Sequence, residues 1–332
     1  MRGKSLVTAK NLPTLVTIGL FMAMFGAGSI AFEGFFAVQN FFNLFIDNAY
    51  LLVLAVGMTF VIISGGIDLS VGSMLALSTM VTSSMLKNTQ VHPLLVIAVV
   101  LAMGTALGYF MGFLIQTFTI PPFIVTLAGL YLGRGLCYVV SIDTIPISNE
   151  FFNAIALARI NIIGENSISP GVIIALVAVL AGLYVLRFTK FGRAVYAIGG
   201  NEQSAILMGL PVTRTKISIY ALSGFCSALA GILFTFYTLS GYALHGKGME
   251  LDAIASVVIG GALLTGGVGG IMGTLFGVLV YGSIQVLIMF QGSLNSWWTR
   301  IAIGFLVFVF CLLQRLFEAR KDARTESIVT RK

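Results

Sequence analysis

The sequence has 332 residues, of which 58% are hydrophobic and only 9% are charged. An average soluble domain is about 25% charged, so these proportions exclude a water-soluble globular enzyme, and the high hydrophobicity excludes a disordered chain. The composition therefore predicts a multi-pass membrane protein in a lipid bilayer, and the net charge of +7 indicates orientation rather than binding to nucleic acid.

Long stretches without Asp, Glu, Lys or Arg recur along the chain, and the two longest, 88–133 and 253–299, hold 46 and 47 residues. A helix needs roughly 20 apolar residues to cross the hydrocarbon core, so each stretch is long enough for two crossings. Continuous apolar runs favour helices over a transmembrane barrel. We predict an all-α bundle of about ten spans (eight to ten) in one domain, 1–332. The predicted spans lie near 12–31, 44–63, 71–86, 93–117, 121–141, 171–187, 217–239, 253–265, 271–290 and 299–315.

Basic residues concentrate before residue 12, in the loop 187–216 and after residue 314, which together hold 14 of the 19 Lys and Arg. The positive-inside rule places these three segments, and both termini, in the cytoplasm. It makes 188–216 a cytoplasmic loop and 316–332 a cytoplasmic tail, and it places 142–170 and 240–252 outside. The predicted span 253–265 is short for a full crossing, so it is tilted, broken or re-entrant.

Two glycine-rich segments, 64–70 and 265–270, interrupt otherwise apolar stretches. Interrupted helices in transporters expose backbone dipoles to substrate, so the breaks are candidates for a translocation region. An ordinary cytoplasmic turn, with Asp68 or Ser70 capping the next helix, explains them equally simply. The candidate residues of the two breaks are Gly65, Gly66, Asp68, Ser70, Gly266 and Gly267.

Arg134 lies in the middle of an apolar run, between Gly133 and Gly135. A charge at that depth is costly, which makes Arg134 a candidate for the translocation region. Pairing with a carboxylate or with carbonyl groups explains it at least as well as contact with substrate. Glycines four residues apart in the preceding span, from Gly104 to Gly112, predict close helix packing, within the chain or between subunits.

Catalytic and metal-binding patterns are missing from the sequence. The segment 241–248 nearly matches a phosphate-binding P-loop, but Gly248 stands where the motif needs a hydroxyl for Mg²⁺. His92 and His245 fall in separate predicted outer loops, so we predict no metal site. No nucleophile has a base and an orienting partner in a recognisable pattern. The chain is therefore predicted not to be an enzyme and to bind no cofactor.

The cytoplasmic loop contains a short predicted helix. Asn201 can cap a helix beginning near Glu202, and Gly209 with Pro211 can end it. On composition alone, a docking surface for a cytoplasmic partner and a connector lying on the bilayer explain this helix equally well.

Three segments, in this order, resemble the permease subunits of bacterial ABC sugar importers of the ribose, arabinose, xylose and galactose type. They read GMTFVIISGGIDLSVGS at 57–73, FGRAVYAIGGNEQSAILMGLPVTRTK at 191–216 and LDAIASVVIGGALLTGGVGGIMGTLFG at 251–277. The segment SWWTRIAIGFLVFVFCLLQR at 296–315 is especially similar to one of the two permeases of the galactofuranose importer.

The resemblance implies a permease subunit that carries a monosaccharide, galactofuranose, across the bacterial inner membrane. It implies a cytoplasmic ABC ATPase that binds ATP and Mg²⁺, a periplasmic sugar-binding protein, and a second permease subunit. The galactofuranose resemblance implies a heterodimer, with a homodimer as the alternative. Most specificity would rest with the binding protein, so the resemblance locates no sugar site. Carried over, the residues that couple to the ATPase are Gly199, Gly200, Asn201, Ala205, Met208 and Gly209.

A competing hypothesis is an ion-coupled secondary sugar transporter. Such a carrier needs an ionisable group at depth for ion coupling, and Arg134 is the one fair candidate in the sequence.

Overall fold

The computed structural model describes residues 12–293, 295 and 297–329. The basic residues Arg2, Lys4 and Lys10, and the end of the predicted tail, 330–332, lie outside the described residues. The cytoplasmic position of both termini therefore stays a prediction.

The described part of the chain forms thirteen helices and four short strands. The helices are α1 (Leu12–Ala31), α2 (Val38–Ile63), α3 (Val71–Asn88), α4 (Pro93–Thr117), α5 (Pro122–Val140), α6 (Glu150–Leu157), α7 (Pro170–Phe188), α8 (Lys190–Gly200), α9 (Glu202–Leu207), α10 (Val212–Thr238), α11 (Met249–Ile259), α12 (Ile271–Gln291) and α13 (Trp297–Val329). The strands are β1 (Ile145–Pro146), β2 (Ile160–Ile163), β3 (Asn166–Ile168) and β4 (Ser240–Gly241).

The prediction of a polytopic helical bundle is confirmed. Seven of the described helices, α1, α2, α4, α5, α7, α10 and α12, are long and apolar enough to cross a membrane. The remaining predicted spans are less regular, because α11 has 11 residues and α13 is strongly apolar only over Trp297–Leu313. The total of about ten spans stays a prediction.

Two helices form the centre of the bundle. In α2, 83% of the most apolar stretch is buried, against 28% in α4, α5 and α7, so the latter three leave most of their apolar residues exposed at the surface of the chain. Helix α10 packs against α2, α3 and α4. The α4 contact is close because a Cβ at Gly104 would lie 2.7 Å from the Gly224 carbonyl oxygen, so the glycine spacing serves packing within the chain.

The segment around the predicted span 253–265 crosses the bundle as a broken span. After α10 the chain forms the short strand β4, which pairs antiparallel with β1 in the predicted outer segment. Helix α11 supplies about 16 Å, roughly half the hydrocarbon thickness. After Ile259 the chain is irregular, and the Gly267 N–H donates to the Ile63 carbonyl oxygen at 2.8 Å, at the opposite end of the bundle.

The segment 64–70 is a second break, and it enters the bundle from the opposite, inner end. It turns back into the bundle after α2, and Asp68 reaches Ser223, about 16 Å along α10 from its start. Helix α3 therefore begins at half depth. There it meets the beginning of α11, because a Cβ at Gly72 would lie 2.6 Å from the Gly246 carbonyl oxygen.

Candidate functional site

Helix α9 is a short helix of six residues, about one and a half turns, in the predicted cytoplasmic loop. The Asn201 side chain accepts a hydrogen bond from the Ser204 N–H at 2.7 Å, and Glu202 lies in the first turn, at the positive end of the helix. Gly209, with φ of +75°, ends the helix. The Leu210 N–H donates to the Ala205 carbonyl oxygen at 3.1 Å and the Gly209 N–H to that of Ile206 at 2.9 Å, which is a Schellman motif.

The two faces of α9 have opposite environments. Ala205 is completely buried and packs with Ile198 and Val212. The next three side chains project from the surface, with exposed fractions of 57%, 88% and 67%. We call these three residues, Ile206, Leu207 and Met208, the coupling patch. Of the coupling residues assigned from the sequence, Met208 lies in the patch and Ala205 supports it from beneath. Ile206 and Leu207, which were not in that set, complete the patch.

An ion pair connects α9 to the beginning of α10. The Lys216 ammonium lies 2.6 Å from the Glu202 carboxylate, and the Lys216 side chain is only 16% exposed. Together with the Ala205 and Val212 contact, this pair attaches α9 to the first turns of α10.

Five of the glycines among the predicted coupling and break residues meet at one place. A Cβ at Gly199 would overlap the Ile63 carbonyl oxygen and lie 2.6 Å from the Gly267 nitrogen. Gly266 has φ of +89°, and a Cβ there would lie 2.9 Å from the Gly65 nitrogen and 2.8 Å from the Gly199 oxygen. We call this set the glycine junction; its members are Gly65, Gly199, Gly200, Gly266 and Gly267.

Backbone approach explains why glycine occupies positions 199 and 266 of the junction. An L side chain at Gly266 would be strained by the left-handed backbone, and one at Gly199 would collide with backbone rather than with a flexible side chain. Since Gly200 directly precedes the cap of α9, the junction links α9 to both breaks.

Asp68 is a buried structural carboxylate. It is fully buried, and its Oδ1 accepts hydrogen bonds from the Ser70 N–H at 2.9 Å and the Ser70 hydroxyl at 2.6 Å. Its Oδ2 accepts from the Ser223 hydroxyl at 2.7 Å. These bonds fix the segment 64–70 and the start of α3 against α10. Beside them, a Cβ at Gly66 would lie 2.6 Å from the Tyr220 hydroxyl oxygen.

Arg134 holds the outer irregular segment. Its Nη1 donates to the carbonyl oxygens of Ala243 at 2.7 Å and His245 at 2.6 Å. The guanidinium thus satisfies backbone carbonyls that have no helical partner. Of the two explanations for Arg134, the geometry favours pairing with carbonyls. Among the described residues, no three His, Cys, Asp or Glu side chains are placed to hold a metal ion.

The sequence matches known permeases over most of its length. A family described as "Branched-chain amino acid transport system / permease component" matches residues 40–311. The "Inner membrane ABC transporter permease protein YjfF" of Escherichia coli (strain K12) is 48% identical over 97% of both chains. The "Fructose import permease protein FruG" of Bifidobacterium longum (strain NCC 2705) is 42% identical over 92% of this chain and 91% of that one.

A further relative is less similar in sequence, but the match again covers nearly the whole of both chains. The "Ribose import permease protein RbsC" of Haemophilus influenzae (strain ATCC 51907 / DSM 11121 / KW20 / Rd) is 35% identical over 96% of each chain. No solved structure matches the sequence. The match over residues 40–311, and these nearly full-length relatives, show that the chain belongs to the branched-chain amino acid transport system / permease component family.

Proposed function

We propose that this chain is the transmembrane permease subunit of an ATP-driven ABC importer that carries a monosaccharide inward across the bacterial inner membrane. The observation that carries the proposal is the coupling patch, an exposed apolar surface on a helix whose other face is locked to the bundle. An exposed apolar patch of this kind is typical of a surface that docks a partner. The names of the fructose and ribose import relatives support a sugar as the substrate class.

The sugar we propose is galactofuranose, because of the resemblance of residues 296–315 to one of the two permeases of that importer. The same resemblance supports a heterodimer with a second permease subunit. A periplasmic sugar-binding protein would deliver the substrate to the outer side.

The ATPase would dock on the coupling patch, and ATP and Mg²⁺ would bind to that separate subunit. Closure of the ATPase would displace α9, and the Lys216 and Glu202 pair would carry the displacement to α10. The glycine junction would carry it to the segments 64–70 and 265–270. The ATPase thereby stabilises one packing of the bundle over another, which is the thermodynamic requirement for driving alternating access.

An ion-coupled secondary transporter is not favoured. That mechanism requires an ionisable group at depth that exchanges its ion during transport. The candidate from the sequence, Arg134, is hydrogen-bonded to two backbone carbonyls.

Co-purification tests the proposal. The tagged chain is isolated from its host in mild detergent, and ATP hydrolysis is measured with and without the binding protein and galactofuranose. We expect an ATPase subunit to co-purify and its activity to rise with the loaded binding protein. A chain that purifies alone, and that moves sugar into proteoliposomes on a proton or sodium gradient without ATP, would contradict the proposal.

A further inference from the structure

A polar cavity of about 260 Å³ lies between α11, α12 and the first turn of α13. Tyr281 lies about 15 Å along α12 from its start, and residues 297–300 form the first turn of α13, which follows the outer end of α12. The cavity therefore extends from about half depth towards the outer end of the bundle. The residues that line it are Asp252, Tyr281, Gln285, Trp297, Thr299 and Arg300.

The side chains that line the cavity lie next to one another and form a continuous polar wall. Gln285 follows Tyr281 by four residues, so both lie on one face of α12. Tyr281 faces Asp252 of α11 across the cavity that both side chains line. The Arg300 guanidinium lies over the Trp297 ring, 5.4 Å from its centre, which fixes the indole beside the polar groups.

This wall does not suit contact with lipid. Trp297 is 66% exposed, and Arg300 beside it is also exposed. Asp252 lies in the first turn of α11, which begins at half depth, and a carboxylate that faced hydrocarbon there would be strongly destabilising, so it faces water or protein. The open side of the cavity is therefore suited to face water or a partner subunit rather than lipid, as a transport path requires.

The chemistry of the wall matches a neutral monosaccharide. A sugar presents hydroxyl groups that both donate and accept, together with patches of C–H groups. The carboxylate, amide and guanidinium supply acceptors and donors in planar pairs, and an aromatic ring such as Trp297 packs on an apolar face. Among the residues that line the cavity, Asp252 and Arg300 carry opposite charges, so the lining itself does not select an ionic ligand.

The size of the cavity agrees with this ligand. Pockets for drug-sized molecules have volumes of about 300–1,000 Å³, and this one is slightly smaller. We propose that the cavity is a low-affinity binding site for one neutral monosaccharide on the outer half of the transport path. This proposal rests on the proposed import function and adds the residues that contact the sugar.

Uptake by the complete importer tests the contact residues. The complex is reconstituted into proteoliposomes with ATP and binding protein, and uptake of radiolabelled galactofuranose, D-ribose, D-fructose and L-arabinose identifies the transported sugar. We expect Trp297→Leu and Tyr281→Phe each to lower the uptake of that sugar about tenfold, the loss of one good contact in the site. Stimulation of ATP hydrolysis by the loaded binding protein should persist.

The neighbouring indole is the matched control. Trp298 is 49% exposed and does not line the cavity, so Trp298→Leu should retain uptake. Equal uptake by Trp297→Leu, Trp298→Leu and the parent chain would overturn the proposal. A loss of ATPase stimulation in step with uptake would also overturn it, because that result indicates a packing defect.

A labelling experiment tests the site without relying on transport rate. In Gln285→Cys, a membrane-impermeant thiosulfonate added from outside should label the new thiol above the background of the parent chain, and the transported sugar should slow that labelling. Absence of labelling, or labelling that sugar does not slow, would count against the site. Failure of the parent complex to import any of the four sugars with ATP would instead reject the proposed function itself.

Discussion

The inner and outer halves of the bundle are packed in opposite ways. At the glycine junction, backbone packs on backbone and leaves no room even for a methyl group at Gly199. In the outer half, polar side chains from α11, α12 and α13 surround open space. Close backbone contact suits the proposed transmission of displacement in the inner region, whereas the outer region has room for the proposed ligand.

The largest expected effect comes from filling the junction. In Gly199→Ala the new methyl group overlaps the Ile63 carbonyl oxygen, so we expect destabilisation of about 3 kcal/mol and loss of uptake. Thermal stability of the purified chain, followed by size-exclusion chromatography, measures the first effect. Gly200→Ala is the control, because a Cβ at Gly200 has no atom within 4 Å. Equal stability of the two variants would show that the junction is not tightly packed.

The next largest effect should follow from a charge on the coupling patch. Leu207 is 88% exposed in this chain, so Leu207→Glu should insert into the membrane normally. A docked ATPase would bury the new carboxylate, so we expect co-purification of the ATPase to fall more than tenfold. Leu157, 75% exposed on α6 in the predicted outer segment, supplies the control Leu157→Glu. Wild-type co-purification and uptake by Leu207→Glu would rule out docking at this surface.

A moderate effect is expected at the break before α3. Asp68→Asn replaces one carboxylate oxygen by an amide donor, which leaves either the Ser70 or the Ser223 donors without an acceptor. We expect a loss of about 1–3 kcal/mol in stability. The single change Ser223→Ala should cost less, and a double-mutant cycle in a thermal assay should show coupling between the two positions. Additive effects would mean that the hydrogen bond contributes little.

The smallest effect should follow from removal of the ion pair at α9. Lys216→Gln removes a contact whose Glu202 partner is 43% exposed, so the cost in stability should be about 0.2–1 kcal/mol and should shrink at high salt. A larger loss of uptake than of stability would show that the pair transmits motion to α10. Parallel losses of both would limit its role to local stability.

The coupling helix shows which parts of a site were predictable. The Asn201 cap and the Gly209 stop depend on neighbouring residues, so the sequence located both ends of α9. The division of its faces did not follow from the sequence, because Ala205 is buried by Ile198 and Val212 from other helices. Ile206 was missed for the same reason.

The outer cavity shows where sequence patterns fail. Tyr281 and Gln285 are ordinary polar positions in an apolar helix, and Trp297 resembles an anchor at the membrane interface. Their role depends on Asp252 and Arg300, which lie on other helices. A pair of polar residues four apart in α12 was the one local signal.

The sequence alone determined that this is a helical membrane protein, because run length and hydropathy are local properties matched to bilayer thickness. It also located the breaks, since glycine-rich segments weaken helices wherever they occur. Only the tertiary structure brought residues 65, 199 and 266 into one junction and placed Arg134 on the carbonyls of Ala243 and His245. Such contacts depend on the paths of distant helices through the bundle, and no spacing along a single segment records those paths.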